Sequence, residues 1–202
     1  KDNLCNFCRE FNKYRKYFDK SSLYTSFKLK KISREIRSKT KNEKYNCLIG
    51  LSGGIDSSYL VYVAKEVMHL RPLVFHVDAG WNSDLAVNNI EKIVDGLGID
   101  LFTEVIDWHE MKDLQLSFLK SGVPHIDAPQ DHAFFATMYK FASKYDVKYI
   151  LTGANLSTEC IRNPIEWMYF QSDSEQLKDI HRKFGSIPLK KYPLTSIYIN
   201  HF

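Results

Sequence analysis

From Tyr45 onward the chain alternates short apolar runs with longer amphipathic stretches, a rhythm that predicts βαβ units built on a parallel sheet. Cys47 to Leu51, Leu73 to Val77, Leu101 to Ile106 and Tyr149 to Leu151 are short and apolar, as strands covered on both faces should be. Between them, Ser57 to Met68, Asp84 to Leu97, His109 to Lys120 and His132 to Tyr145 are long enough for helices that cover the sheet. Gly98 and Gly122 fall where two of these should stop, because glycine readily takes the left-handed conformation that ends a helix. A further helix is predicted from Asp173 or Ser174 to Phe184, with Leu177, Ile180 and Phe184 on one face and Gly185 beyond it. Ahead of Tyr45, Leu23, Phe27, Ile32 and Ile36 recur at near-helical spacing among Lys and Arg, which predicts one amphipathic helix. The expected organisation is a basic N-terminal segment (1–44), an open, mainly parallel α/β domain with helices on both faces (45–185), and the start of a C-terminal extension (186–202). The last residues, Tyr198-Ile199-Asn200-His201-Phe202, form an apolar run with no polar tail, as expected where further sequence follows.

Composition agrees with an ordered globular protein: 44% hydrophobic and 14% aromatic, with only 9 Gly and 6 Pro in 202 residues. No apolar run approaches the roughly 18 residues that span a bilayer, and the basic start lacks the apolar core of a signal peptide. A cytoplasmic address without a membrane partner is expected. The four cysteines fit that address, since Cys5 and Cys8 form a C-x-x-C while Cys47 and Cys160 stand alone, which is no disulfide framework. The net charge of +4 conceals an asymmetry: residues 1–44 carry 14 Lys and Arg against 5 Asp and Glu, so +9 sits on the first segment and −5 on the rest. Such a front suits nucleic acid or, the preferred reading, a solvated helix face beside the core.

Chemistry concentrates in Ser52-Gly53-Gly54-Ile55-Asp56-Ser57-Ser58, immediately after the first predicted strand and at the opening of the first helix of the sheet. A strand, paired glycines and a helix start let several backbone N–H groups converge on one anion, with the helix dipole and serine hydroxyls adding to the attraction. The nest suits a phosphate. It is not the lysine-bearing P-loop, because Asp56 and Ser57 stand where G-x-x-x-x-G-K-[ST] would place its lysine, and an aspartate beside a phosphate implies magnesium between them.

S-G-G-x-D-S resembles the PP-loop of the ATP pyrophosphatases, which split ATP between its α and β phosphates. The resemblance implies an adenine nucleotide alpha hydrolase-like fold, with Ser52, Gly53, Gly54, Ser57 and Ser58 holding the pyrophosphate part of ATP and Asp56 holding magnesium. By the same similarity His76-Val77-Asp78-Ala79-Gly80-Trp81 should lie near adenine and ribose, although Asp78 serves equally well as a strand-end turn residue. In Thr152-Gly153-Ala154-Asn155, Gly153 would let the backbone approach the α-phosphate, with Glu159 as a second magnesium or substrate ligand. Catalytic roles thus fall to Asp56, Ser57 and Glu159.

Asp78-Ala79-Gly80-Trp81-Asn82, His125-Ile126-Asp127-Ala128-Pro129-Gln130-Asp131-His132, and Thr158-Glu159-Cys160-Ile161-Arg162-Asn163-Pro164 through Trp167 look more specifically like the N-acetyl sugar amidotransferases of bacterial surface-polysaccharide pathways. That family turns an N-acetyl group on a nucleotide or nonulosonic sugar into an acetamidino group, for lipopolysaccharide O-antigen, capsule or flagellin glycans. Its ammonia comes from a separate glutaminase similar to that of histidine biosynthesis. The resemblance implies that His125 and Asp127 line the substrate or ammonia pocket, with Asp131 capping the following helix and Arg162, Lys190 or Lys191 meeting a sugar carboxylate or diphosphate. His125, Asp127, Asp131 and His132 also read as a metal cluster, the less favoured alternative. Cys5 and Cys8 have the spacing of half a tetrahedral zinc site, and the additional C-x-x-C upstream in related enzymes is missing here, so zinc is expected only as an incomplete set. The rival reading is a PP-loop tRNA-modifying enzyme of thiolation or lysidine type, its basic segment gripping RNA and Cys160 relaying sulfur.

Overall fold

Two helices, α1 (Asn6–Phe18) and α2 (Ser22–Lys39), precede a sheet of four parallel strands: β1 (Cys47–Gly50), β2 (Pro72–Asp78), β3 (Leu101–Val105) and β4 (Ile150–Leu151). The remaining helices are α3 (Ile55–Tyr62), α4 (Asp84–Leu97), α5 (Trp108–Ser121), α6 (Ala128–Lys144) and α7 (Ser174–Phe184). The computed structural model describes residues 4–18, 22–154, 170 and 172–196. Strand order is β3-β2-β1-β4, with Cys47 opposite Pro72, Leu48 opposite Ile150 and Val74 opposite Leu101.

Successive side chains of a strand point to opposite faces, so the two central strands feed two cores. Cys47, Ile49 and Val74 join Ile36, Val61, Ala64 and Ile90 on the face covered by α2, α3 and α4. Leu48, Leu73 and Phe75 join Met138 and Phe141 on the face covered by α6. Every one of these is buried, which explains why both strands read as unbroken apolar runs. Beyond the sheet, Met111, Leu114 and Phe118 of α5 form a third cluster with Ala128 and Ala133 of α6 and Leu177 and Ile180 of α7.

Local signals set most boundaries. The Ser83 side chain accepts from Ala86 N at 3.2 Å to start α4, and Gly98 ends it at φ 56°. Asp107 caps α5 by accepting from the N–H groups of His109 and Glu110, and Gly122 closes it at φ 70°. Asp173 caps α7 through Glu175 N and Gln176 N.

Three expectations need correction. First, α3 begins at Ile55, not Ser57, with Gly54 in the N-cap position, and its end widens into a π-helical turn, Val63–Val67. Second, α6 begins at Ala128 rather than His132, because Pro129 is harmless in a first turn whose N–H groups need no helical partner. Asp127 therefore holds the N-cap position, without a side-chain capping bond, and Asp131 does not cap this helix but lies in its first turn.

Third, the N-terminal segment holds two helices where one was expected, and α2 docks by a different stripe. Leu23 and Phe27 are 82% and 70% exposed, while Leu29, Ser33 and Ile36 face the body, followed by buried Thr40. Ser33 Oγ donates to Met68 O at 3.2 Å and Thr40 Oγ1 to Ile36 O at 2.7 Å. Satisfied hydroxyls let polar residues occupy the inner stripe, which apolarity alone does not foresee. Fully buried Asn46 then joins the end of α2 to β2, donating to Thr40 Oγ1 at 2.6 Å and accepting from Arg71 N at 2.7 Å.

Candidate functional site

β2 and β3 lie to one side of β1 and β4 to the other, so the order of strand addition reverses between β1 and β4. Open α/β sheets hold ligands outside the carboxyl ends of strands at such a point. The segment Ser52–Ser58 occupies this position, leaving β1 and entering α3.

Its polar groups form a closed circuit. Gly54 N donates to Ser52 Oγ at 3.4 Å, the Ser52 and Ser57 hydroxyls meet at 3.0 Å, and Ser57 Oγ donates to Gly54 O at 3.2 Å. Ser52 N also donates to Ser57 Oγ, at 3.2 Å. The first helical bond of α3 runs from Ser58 N to Gly54 O at 3.1 Å, so the N–H groups of Ile55, Asp56 and Ser57 precede the helical ladder and lie at the positive end of the dipole. Gly53 has φ +78°, and a Cβ there would lie 2.4 Å from Ala86 O of α4. No side chain fits.

Gly153, just beyond β4, would place a Cβ 3.2 Å from the Asp56 carbonyl and 3.3 Å from Ser57 N. The structure thus brings Ser52, Gly53, Gly54, Asp56, Ser57, Ser58 and Gly153 together, with Gly153 packed on the start of α3. Asp56 is exposed, and no donor among the described residues holds its carboxylate. A hard oxygen ligand beside hydroxyls and helix N–H groups fits magnesium riding on a phosphate.

On the neighbouring strand, buried His76 joins two loops. Its Nδ1 donates to Leu51 O at 2.8 Å, so Nε2 is the acceptor for Asn82 Nδ2 at 3.0 Å. Asp78 uses one carboxylate oxygen to accept from Gly80 N at 2.9 Å, the turn role named above for it. Trp81 and Trp108 meet edge to face at 5.1 Å and remain 56% and 41% exposed beside this turn.

His125, Asp127 and Asp131 lie at the entry to α6, whose Ala128 and Ala133 share a cluster with Ala79 at the end of β2. Phe134 of the same helix closes over Gly50, where a Cβ would lie 2.5 Å from its ring. His132 is no metal ligand: it is buried, stacks on Tyr192 and accepts from Thr195 N at 3.1 Å. Among the described residues no group of three or more His, Cys, Asp or Glu could hold a metal, so that reading is withdrawn. Glu159, Cys160 and Arg162 lie outside the described residues.

Cys5 and Cys8 open α1, both exposed, with Cys8 N donating to Cys5 Sγ at 3.4 Å. That N–H, then the Cys8 thiol, holds Cys5 below the ordinary thiol value, and the same contact raises Cys8. Two thiols are half of a tetrahedral set, and among the described residues no third ligand joins them, so these two alone do not complete a zinc site.

Several residues escaped sequence reasoning. Asn89 of α4 donates to Gly53 O at 3.1 Å, and Ala86 walls the same glycine. Neither carries a local signature. Glu110 of α5 accepts from the N–H groups of Lys190, Lys191 and Tyr192 at 2.7–3.1 Å, and Lys191 Nζ pairs with Asp107 at 3.1 Å. The main chain of Lys191 is thus held by Glu110, while its exposed ammonium makes a surface pair with Asp107. Burial pushes Glu110 up, but the three backbone donors outweigh it and hold its carboxyl below the ordinary value. Asp113, three residues on, accepts from Ser186 N, Ile187 N and, at 2.9 Å, His181 Nε2. Burial opposes ionisation there too, and the Ser186 N–H, His181 and the Ile187 N–H outweigh it.

Comparison with known proteins bears mainly on the fold. No family model matches the chain. An uncharacterized protein of Methanocaldococcus jannaschii is 27% identical over 158 residues, covering 76% of this chain and 52% of that protein. Among solved structures, NMN synthetase from Francisella tularensis superposes with a TM-score of 0.52 at 20% identity, covering 68% of this chain and 56% of that one. Glutamine-dependent NAD+ synthetase from Acinetobacter baumannii, in complex with ADP, gives a TM-score of 0.52 at 15% identity, covering 82% of this chain and 33% of that one. The chain thus spans about half the length of the curated relative it matches and shares the fold of these synthetases. Among the described residues no helix is long and apolar enough to cross a membrane.

Proposed function

We propose that this chain is the synthetase part of an ATP-dependent, AMP-forming C–N ligase whose substrate is an N-acetyl group on a nucleotide or nonulosonic sugar. The observation that carries the ligase reading is the Ser52–Ser58 loop at the β1–β4 crevice, with Gly153 seated on Asp56. The shared fold of NMN and NAD+ synthetases supports it. The sugar rests on the motif resemblance around Asp78–Asn82 and His125–His132.

The chemistry asks little covalent work of the protein. An amide carbon is a poor electrophile until its oxygen becomes a leaving group. The amide oxygen attacks the α-phosphorus of ATP, and the bond to pyrophosphate breaks with its electron pair leaving on pyrophosphate. Ammonia then adds to the imidate carbon, the bond to the AMP oxygen breaks, and the nitrogen loses a proton to water, leaving an amidine. Ser52, Ser57 and the N–H groups around Gly54 would hold the departing pyrophosphate, and Asp56 would hold magnesium, which neutralises charge developing on the phosphates. His125, Asp127 and Asp131 are the proposed substrate contacts on the α6 side, with Asp78 toward the nucleoside. Glu159, a second magnesium or substrate ligand, and Arg162 complete the proposed set.

A separate glutaminase partner is the proposed ammonia source. Cys47 is sealed in β1 with its thiol pushed up to about 12 by burial, and Cys5 and Cys8 stand on the N-terminal helix. A glutamine-hydrolysing nucleophile needs an accessible, activated thiolate, which the sealed Cys47 does not offer.

The test is to incubate the protein with ATP, magnesium, ammonium and a panel of nucleotide-linked N-acetyl sugars. AMP and pyrophosphate formed only with a matching sugar are expected, with an amidine product by mass. ADP and inorganic phosphate would sink the ligase reading, and AMP formed only with tRNA would replace the sugar.

A further inference from the structure

Two peptide planes of the phosphate loop are gripped by side chains from β2 and α4, outside the loop itself. A peptide unit is planar and trans, so fixing the direction of its C=O fixes its N–H in the opposite direction. The plane between Leu51 and Ser52 is held by buried His76, whose Nδ1 donates to Leu51 O at 2.8 Å. The plane between Gly53 and Gly54 is held by Asn89 on α4, whose Nδ2 donates to Gly53 O at 3.1 Å. Among the described residues the opposing N–H groups, Ser52 N and Gly54 N, meet only the loop's own hydroxyls, at 3.2 and 3.4 Å. The Gly54 contact is long, and an anion can replace it at little cost.

The two grips differ. His76 lies within the sheet core, where substitution disturbs β2 as well as the loop. Asn89 is part-buried on a surface helix, and its bond to Gly53 is separate from the Ser83 cap of that helix. At Gly53 the backbone has φ +78°, a conformation open to a glycine but readily exchanged for others, so the peptide plane needs an external restraint.

We infer that Asn89 is a positioning residue for anion binding: by holding the Gly53 carbonyl toward α4, it aims the Gly54 N–H into the site before any ligand arrives. This rests on the reading that the loop holds pyrophosphate. Its benefit is preorganisation, since a loop already in the binding shape loses less freedom when the anion docks.

The experiment measures magnesium–pyrophosphate binding to the whole chain by calorimetry, alongside thermal unfolding. Asn89→Ala should weaken binding about threefold to tenfold, and Asn89→Asp about tenfold or more at pH 8, since a carboxylate repels the carbonyl it replaces a donor for. The Asn89→Asp deficit relative to wild type should shrink as the pH is lowered toward 5, because a protonated carboxyl can again donate to Gly53 O. Ser83→Ala, which weakens the α4 cap alone, should lower the melting temperature and leave pyrophosphate affinity unchanged. The inference is overturned if both Asn89 variants bind like wild type, or if Ser83→Ala loses affinity equally at matched destabilisation. Wild-type protein that binds no magnesium–pyrophosphate would instead overturn the phosphate reading of the loop.

Discussion

The crevice end of β1 and the outer face of α5 both gather carboxylates, backbone N–H groups and turns, yet they use them in opposite ways. At α5, buried Glu110 and part-buried Asp113 spend their oxygens on the main chain of residues 186–192, with His181 adding a further bond. At the crevice, Asp56 is exposed, and among the described residues the hydrogen bonds that Ser52, Gly54, Ser57 and Ser58 donate stay within the loop. A carboxylate whose partners are backbone amides pins chain to chain, whereas one presented beside a helix N-terminus is disposed toward something outside the protein. The contrast fits a stabilising role for Glu110 and Asp113 and supports the proposed ligand role of Asp56.

The widest separation between the two regions should come from Asp56→Asn. Removing the charge is expected to lower magnesium-dependent AMP formation by about a hundredfold or more, with the melting temperature within a few degrees of wild type. Retained turnover in steady-state assays would break the contrast at its functional end.

Glu110→Gln should do the reverse. It replaces one acceptor of three backbone donors and is expected to cost about 1–3 kcal/mol in denaturant unfolding. Acid should expose the same anchors. Both carboxyls sit below their ordinary values of 4.5 for Glu110 and 3.8 for Asp113, so the unfolded chain binds more protons than the folded one. Their stabilisation is complete above those values and is lost as pH falls through the lower folded ones. The stability–pH curve should therefore drop below pH about 4.5, and Glu110→Gln paired with Asp113→Asn should flatten that limb. An unchanged slope would remove these two groups from the account.

The smallest effect expected is that of Gly153→Ala. Its Cβ would stand 3.2 Å from the Asp56 carbonyl, a contact relieved by a shift of a few tenths of an ångström at the start of α3. Turnover should fall about tenfold or less, with little change in stability. A stability loss matching that of Glu110→Gln would mean that the β4 loop is structural in the same sense as α5.

Residues close in sequence made much of the site legible in advance. Ser52 to Ser58 could be read because strand, glycines and helix start are contiguous, so one short segment builds the nest. Gly98, Gly122 and Asp173 marked helix ends for the same reason, acting on backbone two or three residues away. The start of α6 at Ala128, four residues ahead of the expected His132, was less legible, because Pro129 in a first turn resembles a helix breaker.

The sequence by itself thus determined the doubly covered parallel sheet and the glycine–serine loop that joins β1 to α3, since apolar runs buried on both faces and a loop of seven residues are local facts. The tertiary structure alone decided what surrounds that segment. Asn89 meets Gly53 across 36 positions, His76 meets Leu51 across 25, and Glu110 meets Tyr192 across 82. In each case one partner is a main-chain group, which every residue possesses and no sequence pattern records. The docking stripe of α2 escaped for a related reason: Ser33 and Thr40 are buried because carbonyls satisfy their hydroxyls, and such satisfaction exists only once the chain has folded.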